Sequence, residues 1–283
     1  MTAVITPFTK ENTIDFAALK LILDHLIAHS SDGLVMLGTT AESATLTKDE
    51  RLMLYHFIMR YVNGRVPVYA GVGTNDTAQT LQYAKMAQSA HVDGIMIVAP
   101  YYNKPQQEGI YQHMKTIADQ MTLPVMIYTV PSRCGVVIEP ETIIRLGNDC
   151  PNIVAYKYAS SDLAPIPFIK EQIKKPFAIY SGEDGMLLEG LRSGMDGIVS
   201  VISHVYGDEI KEVIAGYRQG TEHTKIDLQL KEKTKLLFCE SSPVPIKYAM
   251  HLLGCCEPYV RLPLVELTAA HKQMVQEGMQ DKR

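Results

Sequence analysis

Short apolar, β-branched runs alternate along this chain with longer segments of helical periodicity. Eight of the runs read as strands: Ala3 to Thr6, Leu34 to Leu37, Val68 to Gly71, Gly94 to Val98, Val125 to Tyr128, Ile153 to Lys157, Phe177 to Ser181 and Gly197 to Val201. Between the first two, Leu19, Ile22, Leu23, Leu26 and Ile27 recur at spacings of three and four behind a start at Asp15, the stripe of a helix with one buried face. Similar stripes run through Leu52 to Tyr61 and Leu81 to Ala90. Pro67, Pro124 and Pro176 stand just before apolar runs, where a proline ends the preceding segment and can open a strand. Eight strands separated by helices predict an α/β fold, a (β/α)8 TIM barrel. From about Val205 onward the pattern is helical, without a further convincing strand. The expected organisation is a catalytic barrel over 1–204, with the last barrel helix and a small C-terminal helical appendage in 205–283. A Rossmann-like split is disfavoured, because no G-x-G-x-x-G follows the first run.

Composition narrows the function. With 283 residues and 46% hydrophobic content, the chain can bury one barrel-sized core. A net charge of -4 leaves no basic footprint for nucleic acid or an anionic membrane, so small-molecule chemistry is expected. Cys134, Cys150, Cys239, Cys255 and Cys256 form neither a C-x-x-C pair nor a zinc-spaced set, which suits reduced thiols. The amino-terminal segment lacks the pattern of a secretory signal, and no apolar stretch is long enough to span a bilayer; a cytoplasmic protein is expected.

Barrel enzymes carry their chemistry at the carboxyl ends of the strands. There the chain places Gly38-Thr39-Thr40-Ala41-Glu42-Ser43, Pro100-Tyr101-Tyr102-Asn103, Tyr128 followed by Val130-Pro131-Ser132-Arg133, then Lys157, Ser181-Gly182-Glu183-Asp184 and Ser200. Lys157 stands in Ile-Val-Ala-Tyr-Lys-Tyr-Ala, where desolvation should depress its pKa and leave a neutral amine able to attack a ketone. An imine with a keto acid turns the substrate methyl carbon into an enamine donor. Tyr128 and Tyr102 can pass protons, with a hydroxyl such as Thr39 as the link. Thr39 and Thr40 suit a carboxylate, and Arg133 offers a planar fork for another. The acidic residues of Gly182-Glu183-Asp184-Gly185 and Gly194-Met195-Asp196-Gly197 argue against a phosphate site. His25 and His29 lie four apart and share a helix face but lack the glutamate of H-E-x-x-H, and no metal is expected.

These pieces, with Ile5-Thr6-Pro7-Phe8 and Pro243-Val244-Pro245-Ile246-Lys247, make the whole chain resemble the pyruvate-dependent lyases of the dihydrodipicolinate synthase and N-acetylneuraminate lyase family. Gly38-Thr39-Thr40 and Arg133 look like its synthase branch. The resemblance implies pyruvate held on Lys157 as a Schiff base, with no separate cofactor, and a proton relay of Thr39, Tyr128 and Tyr102. It implies Thr40 on the pyruvate carboxylate, Arg133 on the carboxylate of aspartate 4-semialdehyde, and the Gly182 amide and Val199 carbonyl lining the pocket. The product would be 4-hydroxy-tetrahydrodipicolinate, on the route to diaminopimelate and lysine. It also implies that Tyr102 serves a neighbouring subunit, in tight dimers paired into a homotetramer.

Departures from the family pattern are Ala41 for glycine, Thr129 for asparagine, Cys134 for threonine and Tyr158 for glutamate. A lyase acting on N-acetylneuraminate or a 2-keto-3-deoxy sugar acid therefore stays open, as does a barrel that only binds a keto acid. At the feedback site of relatives, Ser43, Ala44, Asn75 and Tyr101 match. Lys48 and Arg51 replace histidines there and Gln79 replaces a glutamate, so inhibition by lysine is expected to be weak or absent.

Overall fold

The computed structural model describes residues 1–282. Its strands are β1 (Thr2–Ala3), β2 (Leu34–Met36), β3 (Val68–Gly71), β4 (Gly94–Val98), β5 (Val125–Thr129), β6 (Ile153–Tyr158), β7 (Ala178–Ser181) and β8 (Gly197–Ile198). They follow one another in a single eight-stranded parallel sheet in sequence order, the strand order of a (β/α)8 barrel. Every predicted run overlaps its strand, with β1 starting one residue earlier than predicted and β5 and β6 each ending one residue later. The largest differences are at β1 and β8, which are two residues each. Beyond them the ladder thins to single bonds, from Val4 N to Val35 O at 2.9 Å and from Ala3 N to Ser200 O at 2.9 Å, with Ser200 bridging Thr2 in parallel.

The chain divides into two compact units, Met1–Pro67 together with the chain from Ser200 onward, and Val68–Val199. In the first, the helix Phe16–Ala28 begins where the sequence places it. The Asp15 carboxylate accepts from the amides of Ala17 and Ala18 at 3.0 and 2.9 Å, satisfying two orphan donors of the first turn. Its stripe, Leu19, Ile22, Leu23 and Leu26, is buried. The helix Lys48–Val62 starts with a reciprocal cap between Thr47 and Glu50. After β8 come the helices Ser203–Arg218, Thr224–Leu237, Val244–Leu252 and Ala269–Gly278, with no strand among the described residues of that region. His25 and His29 do share a face, their rings 4.5 Å apart. His25 meets the carbonyl of His204 and His29 the carboxylate of Asp208, each at 2.8 Å.

In the second unit, β3 to β8 pair in turn, and the register sets Tyr128 beside Lys157 and Lys157 beside Tyr180. Strand entry is marked by acids: Asp93 accepts from the amide of Val68 at 2.8 Å, and Asp196 from the amide of Ile179 at 2.7 Å while holding Lys170. The carboxylate of Asp196 is thus part of the strand framework.

Candidate active site

Lys157 is the fifth of six residues in β6. Its Nζ lies 4.3 Å from the centroid of the Tyr128 ring, across the register pair that joins β5 to β6. The side chain is 5% exposed. Burial lowers its pKa to about 8; Asp184 and Glu183 pull it back up and Arg133 adds to the lowering. At pH 7 about one Lys157 in ten is then neutral, against roughly three in ten thousand for an ordinary lysine. Among the described residues Lys157 makes no ion pair within 4.0 Å, so the acids act at longer range. Desolvation and Asp184 together also raise the pKa of Glu183.

Gly182 shapes this pocket by what it lacks. A Cβ there would stand 2.8 Å from Ala159 Cβ and 3.1 Å from Lys157 Cε, inside van der Waals contact. Its amide is committed to the carbonyl of Tyr158 at 2.8 Å, so the backbone N–H carried over from the resemblance is not a free donor. Val199 follows β8, buried, with its own amide on the carbonyl of Ser181 at 2.9 Å.

Pro131 opens a one-turn helix, Pro131–Cys134, closed by Gly135 at φ +70°. Arg133 projects from it into solvent. Cys134, in the place of the family threonine, is buried and donates its thiol to the carbonyl of Ala99 at 3.3 Å, and burial pushes that thiol up to about 11. Thr129 is fully buried, and the Tyr158 hydroxyl donates to the carbonyl of Asp162 at 2.7 Å. Three of the four departures therefore repack the framework of the second unit. Tyr102 is not gathered onto Lys157. It is 88% exposed and left-handed, at φ +74°.

In the first unit, Thr39 and Thr40 form a short 3-10 turn with Ala41; Thr39 is half-buried, and Thr40 and Ala41 are buried. Leu37 at φ +55° and Glu42 at φ +54° bound the turn, and each such non-glycine residue costs about 1–2 kcal/mol of backbone strain. Glu42 is offset by a buried partner that no catalytic reading of the sequence included: Lys247 Nζ, 2.5 Å from Glu42 Oε1. The signal was present, since Lys247 stands in an apolar run as Lys157 does, within a motif quoted above.

Of the feedback-site positions, Ser43, Ala44, Lys48 and Arg51 belong to the first unit and Asn75, Gln79 and Tyr101 to the second. Arg51 is buried and donates to the carbonyl of Ser43 at 2.5 Å. Ala44, Lys48 and Gln79 are exposed, and the Asn75 carbonyl accepts from Asn103 at 2.9 Å.

Comparison with known proteins agrees with this geometry. A family model described as the dihydrodipicolinate synthetase family matches residues 1–282. The chain is 44% identical over 283 aligned residues to a 4-hydroxy-tetrahydrodipicolinate synthase of Oceanobacillus iheyensis, covering 99% of this chain and 96% of the relative. It is 45% identical over 269 residues to that of Bacillus subtilis, covering 94% and 93%. A crystal structure of dihydrodipicolinate synthase from Bacillus anthracis superposes with a TM-score of 0.96 at 43% identity, over 99% of this chain and 96% of that one. Whole-length matches in sequence and in fold, around a buried lysine beside a tyrosine, show that the chain belongs to the dihydrodipicolinate synthetase family.

Proposed function

We propose that the protein is a Schiff-base-forming lyase that condenses pyruvate with aspartate 4-semialdehyde to 4-hydroxy-tetrahydrodipicolinate, with Lys157 as the nucleophile. The observation that carries the reading is Lys157 itself, buried against the Tyr128 ring with its pKa lowered to about 8. A neutral Nζ adds to the ketone carbon of pyruvate, and loss of water gives the imine. Removal of a methyl proton gives the enamine, which adds to the aldehyde carbon of the second substrate. The semialdehyde amine then closes on the imine carbon and releases Lys157. The imine supplies the electron sink, so no dissociable cofactor enters the scheme.

Each transfer needs a proton donor and acceptor. Tyr128, whose ring lies against Lys157, supplies a phenol, Thr39 and Tyr102 complete the relay, Thr40 holds the pyruvate carboxylate, and Arg133 takes the carboxylate of the semialdehyde. Gly182 leaves room for the lysine, and the Val199 carbonyl lines the pocket. The exposure of Tyr102 and its left-handed backbone support a role in the site of a neighbouring subunit, in a homotetramer of tight dimers; its mass in solution, by light scattering, checks the assembly. The five cysteines are free and no helix of the described residues is long and apolar enough to cross a membrane, which supports the cytoplasm as its place.

Borohydride reduction with pyruvate, followed by intact mass and peptide mapping, tests the reading, with semialdehyde turnover measured on the same preparation. A pyruvyl adduct on Lys157 with turnover is expected. An adduct without turnover assigns another aldehyde, such as a sugar acid fragment; no adduct removes the imine chemistry. Lysine inhibition is expected to be weak, because Lys48 adds like charge and Gln79 removes an acceptor for the ammonium. Sub-millimolar inhibition in a steady-state assay contradicts that expectation.

A further inference from the structure

Two motifs of the sequence, Ile5-Thr6-Pro7-Phe8 and Pro243 to Lys247, find no place in the proposed chemistry. The first unit brings both to the turn that carries Thr39 and Thr40. Glu42, which ends that turn, is fixed from every side. Its amide donates to the carbonyl of Thr39 at 3.0 Å, and its carbonyl accepts from the amide and the hydroxyl of Thr45, each at 2.9 Å. Its carboxylate lies 1% exposed, with Oε1 2.5 Å from Lys247 Nζ and Oε2 accepting from the amide of Arg261 at 2.8 Å. The Lys247 contact is a charge contact rather than an aligned hydrogen bond; the ammonium donates to the carbonyl of Tyr259 at 2.8 Å.

Arg261 is committed just as fully. Its guanidinium grips both oxygens of Glu50 at 2.9 and 2.5 Å, both oxygens of Asn12 at 3.0 and 2.7 Å, and the carbonyl of Thr45 at 3.1 Å. The ring of Phe8 lies under both cations, 4.1 Å from Lys247 Nζ and 4.3 Å from the Arg261 guanidinium carbon. With every donor of Arg261 engaged, the 790 Å³ cavity beside it offers no free guanidinium to a ligand.

A cluster of this kind is a poor way to gain stability alone. Removing two charges from water is costly, and a well-packed apolar pair of the same volume often holds a fold as well. What the charges add is direction. They hold a glutamate in the left-handed region, and a backbone strained in that way points to function where the surroundings over-determine it.

We propose that Lys247, backed by Arg261 and Phe8, is a positioning residue for Thr39 and Thr40, locking Glu42 so that the two hydroxyls keep their places. The inference rests on the reading of those threonines given under Proposed function. Neither Lys247 nor Arg261 touches substrate; they act through Glu42 on the turn.

The test separates position from stability. The double variant Glu42→Gln/Lys247→Met keeps volume and leaves no lone buried charge, so its Tm should stay within a few degrees of the wild type. Its pyruvate KM should rise and its kcat fall, each by about tenfold, since displacements well under 1 Å at a reacting centre are felt in the rate. Adduct formed on Lys157 at limiting pyruvate should fall in step with KM. Should the double variant not fold, Glu50→Gln provides the second measure: it can still cap its helix but weakens the grip on Arg261. A rise in pyruvate KM of about threefold is expected there, with a lower Tm because Arg261 loses its counter-charge. Wild-type KM and kcat in a folded double variant, or an unchanged KM in Glu50→Gln, overturn the positioning role while the wild type still traps pyruvate. A wild type that traps no pyruvate at Lys157 removes the functional reading and the positioning role with it.

Discussion

Lys157, at the end of β6, and Lys247, in the helix Val244–Leu252, are both buried, at 5% and 0% exposure, and burial lowers the pKa of both. They differ in what the nitrogen faces. Lys157 faces the Tyr128 ring, with Asp184 and Glu183 at longer range. Lys247 faces the carboxylate of Glu42, the carbonyl of Tyr259 and the ring of Phe8. The same desolvation has opposite consequences. An amine left without an adjacent carboxylate can exist neutral at working pH and serve as a nucleophile. An amine clamped at ion-pair distance from a carboxylate is held in one place and serves as a fixture. Burial identifies a costly lysine; the partner decides what the cost supports.

The largest effect that would break this contrast is at Lys157. Lys157→Met should lower condensation by at least about 10³-fold and leave no pyruvyl adduct. The same change should stabilise the protein at pH 7, by up to about 3 kcal/mol, because it removes an ammonium that folding desolvates. A thermal melt of the variant alongside the assay checks both; loss of activity with loss of Tm would show Lys157 to be a structural cation like Lys247. Lys247→Met alone should go the other way, leaving Glu42 buried without its counter-charge at a cost of about 3–5 kcal/mol. Denaturant unfolding reads this directly, and an unchanged midpoint would dissolve the distinction between the two lysines.

A smaller change sharpens it. Gly182→Ala leaves the charges alone and crowds the space around Lys157, placing a methyl 3.1 Å from its Cε and 2.8 Å from Ala159 Cβ. Imine formation, followed by borohydride trapping over time, should slow by roughly 10- to 100-fold, whereas a rate equal to wild type would show the lysine free to shift.

The mildest probe is pH. With a pKa lowered to about 8, Lys157 is mostly charged below that value and mostly neutral above it. kcat/KM for pyruvate should therefore rise about tenfold per pH unit well below 8 and level off above it. The stability consequence has the matching sign. The unfolded chain holds this proton up to the ordinary lysine range while the folded one releases it near 8, so this group's destabilisation is full below 8 and relieved as pH climbs toward 10.5. A profile flat from pH 7 to 9 would mean that Lys157 titrates elsewhere.

The sequence alone carried the architecture. Strand and helix periods are local properties, repeated eight times, and caps such as Asp15 and prolines such as Pro67 sit within a few residues of the boundaries they set. Lys157 was legible for the same reason: its apolar neighbours are its sequence neighbours, and one strand carries them all into the core. Other features required the fold. Arg261 reaches Asn12, Thr45 and Glu50 across 249, 216 and 211 residues, and no local pattern announces pairings at that distance. Lys247 stood in a recognised motif, yet its partner Glu42 became visible only when the C-terminal helices packed against the turn after β2. The left-handed backbones of Glu42 and Tyr102 were equally silent, since neither residue type favours that region. Gly182 shows the division within a single residue: the resemblance pointed to its amide, and only the paired strands revealed that the amide is spent on Tyr158 and that the missing side chain makes room for Lys157. Periodicity and burial are written along the chain, whereas the partner of a buried charge is chosen by segments far apart in sequence that meet only on folding.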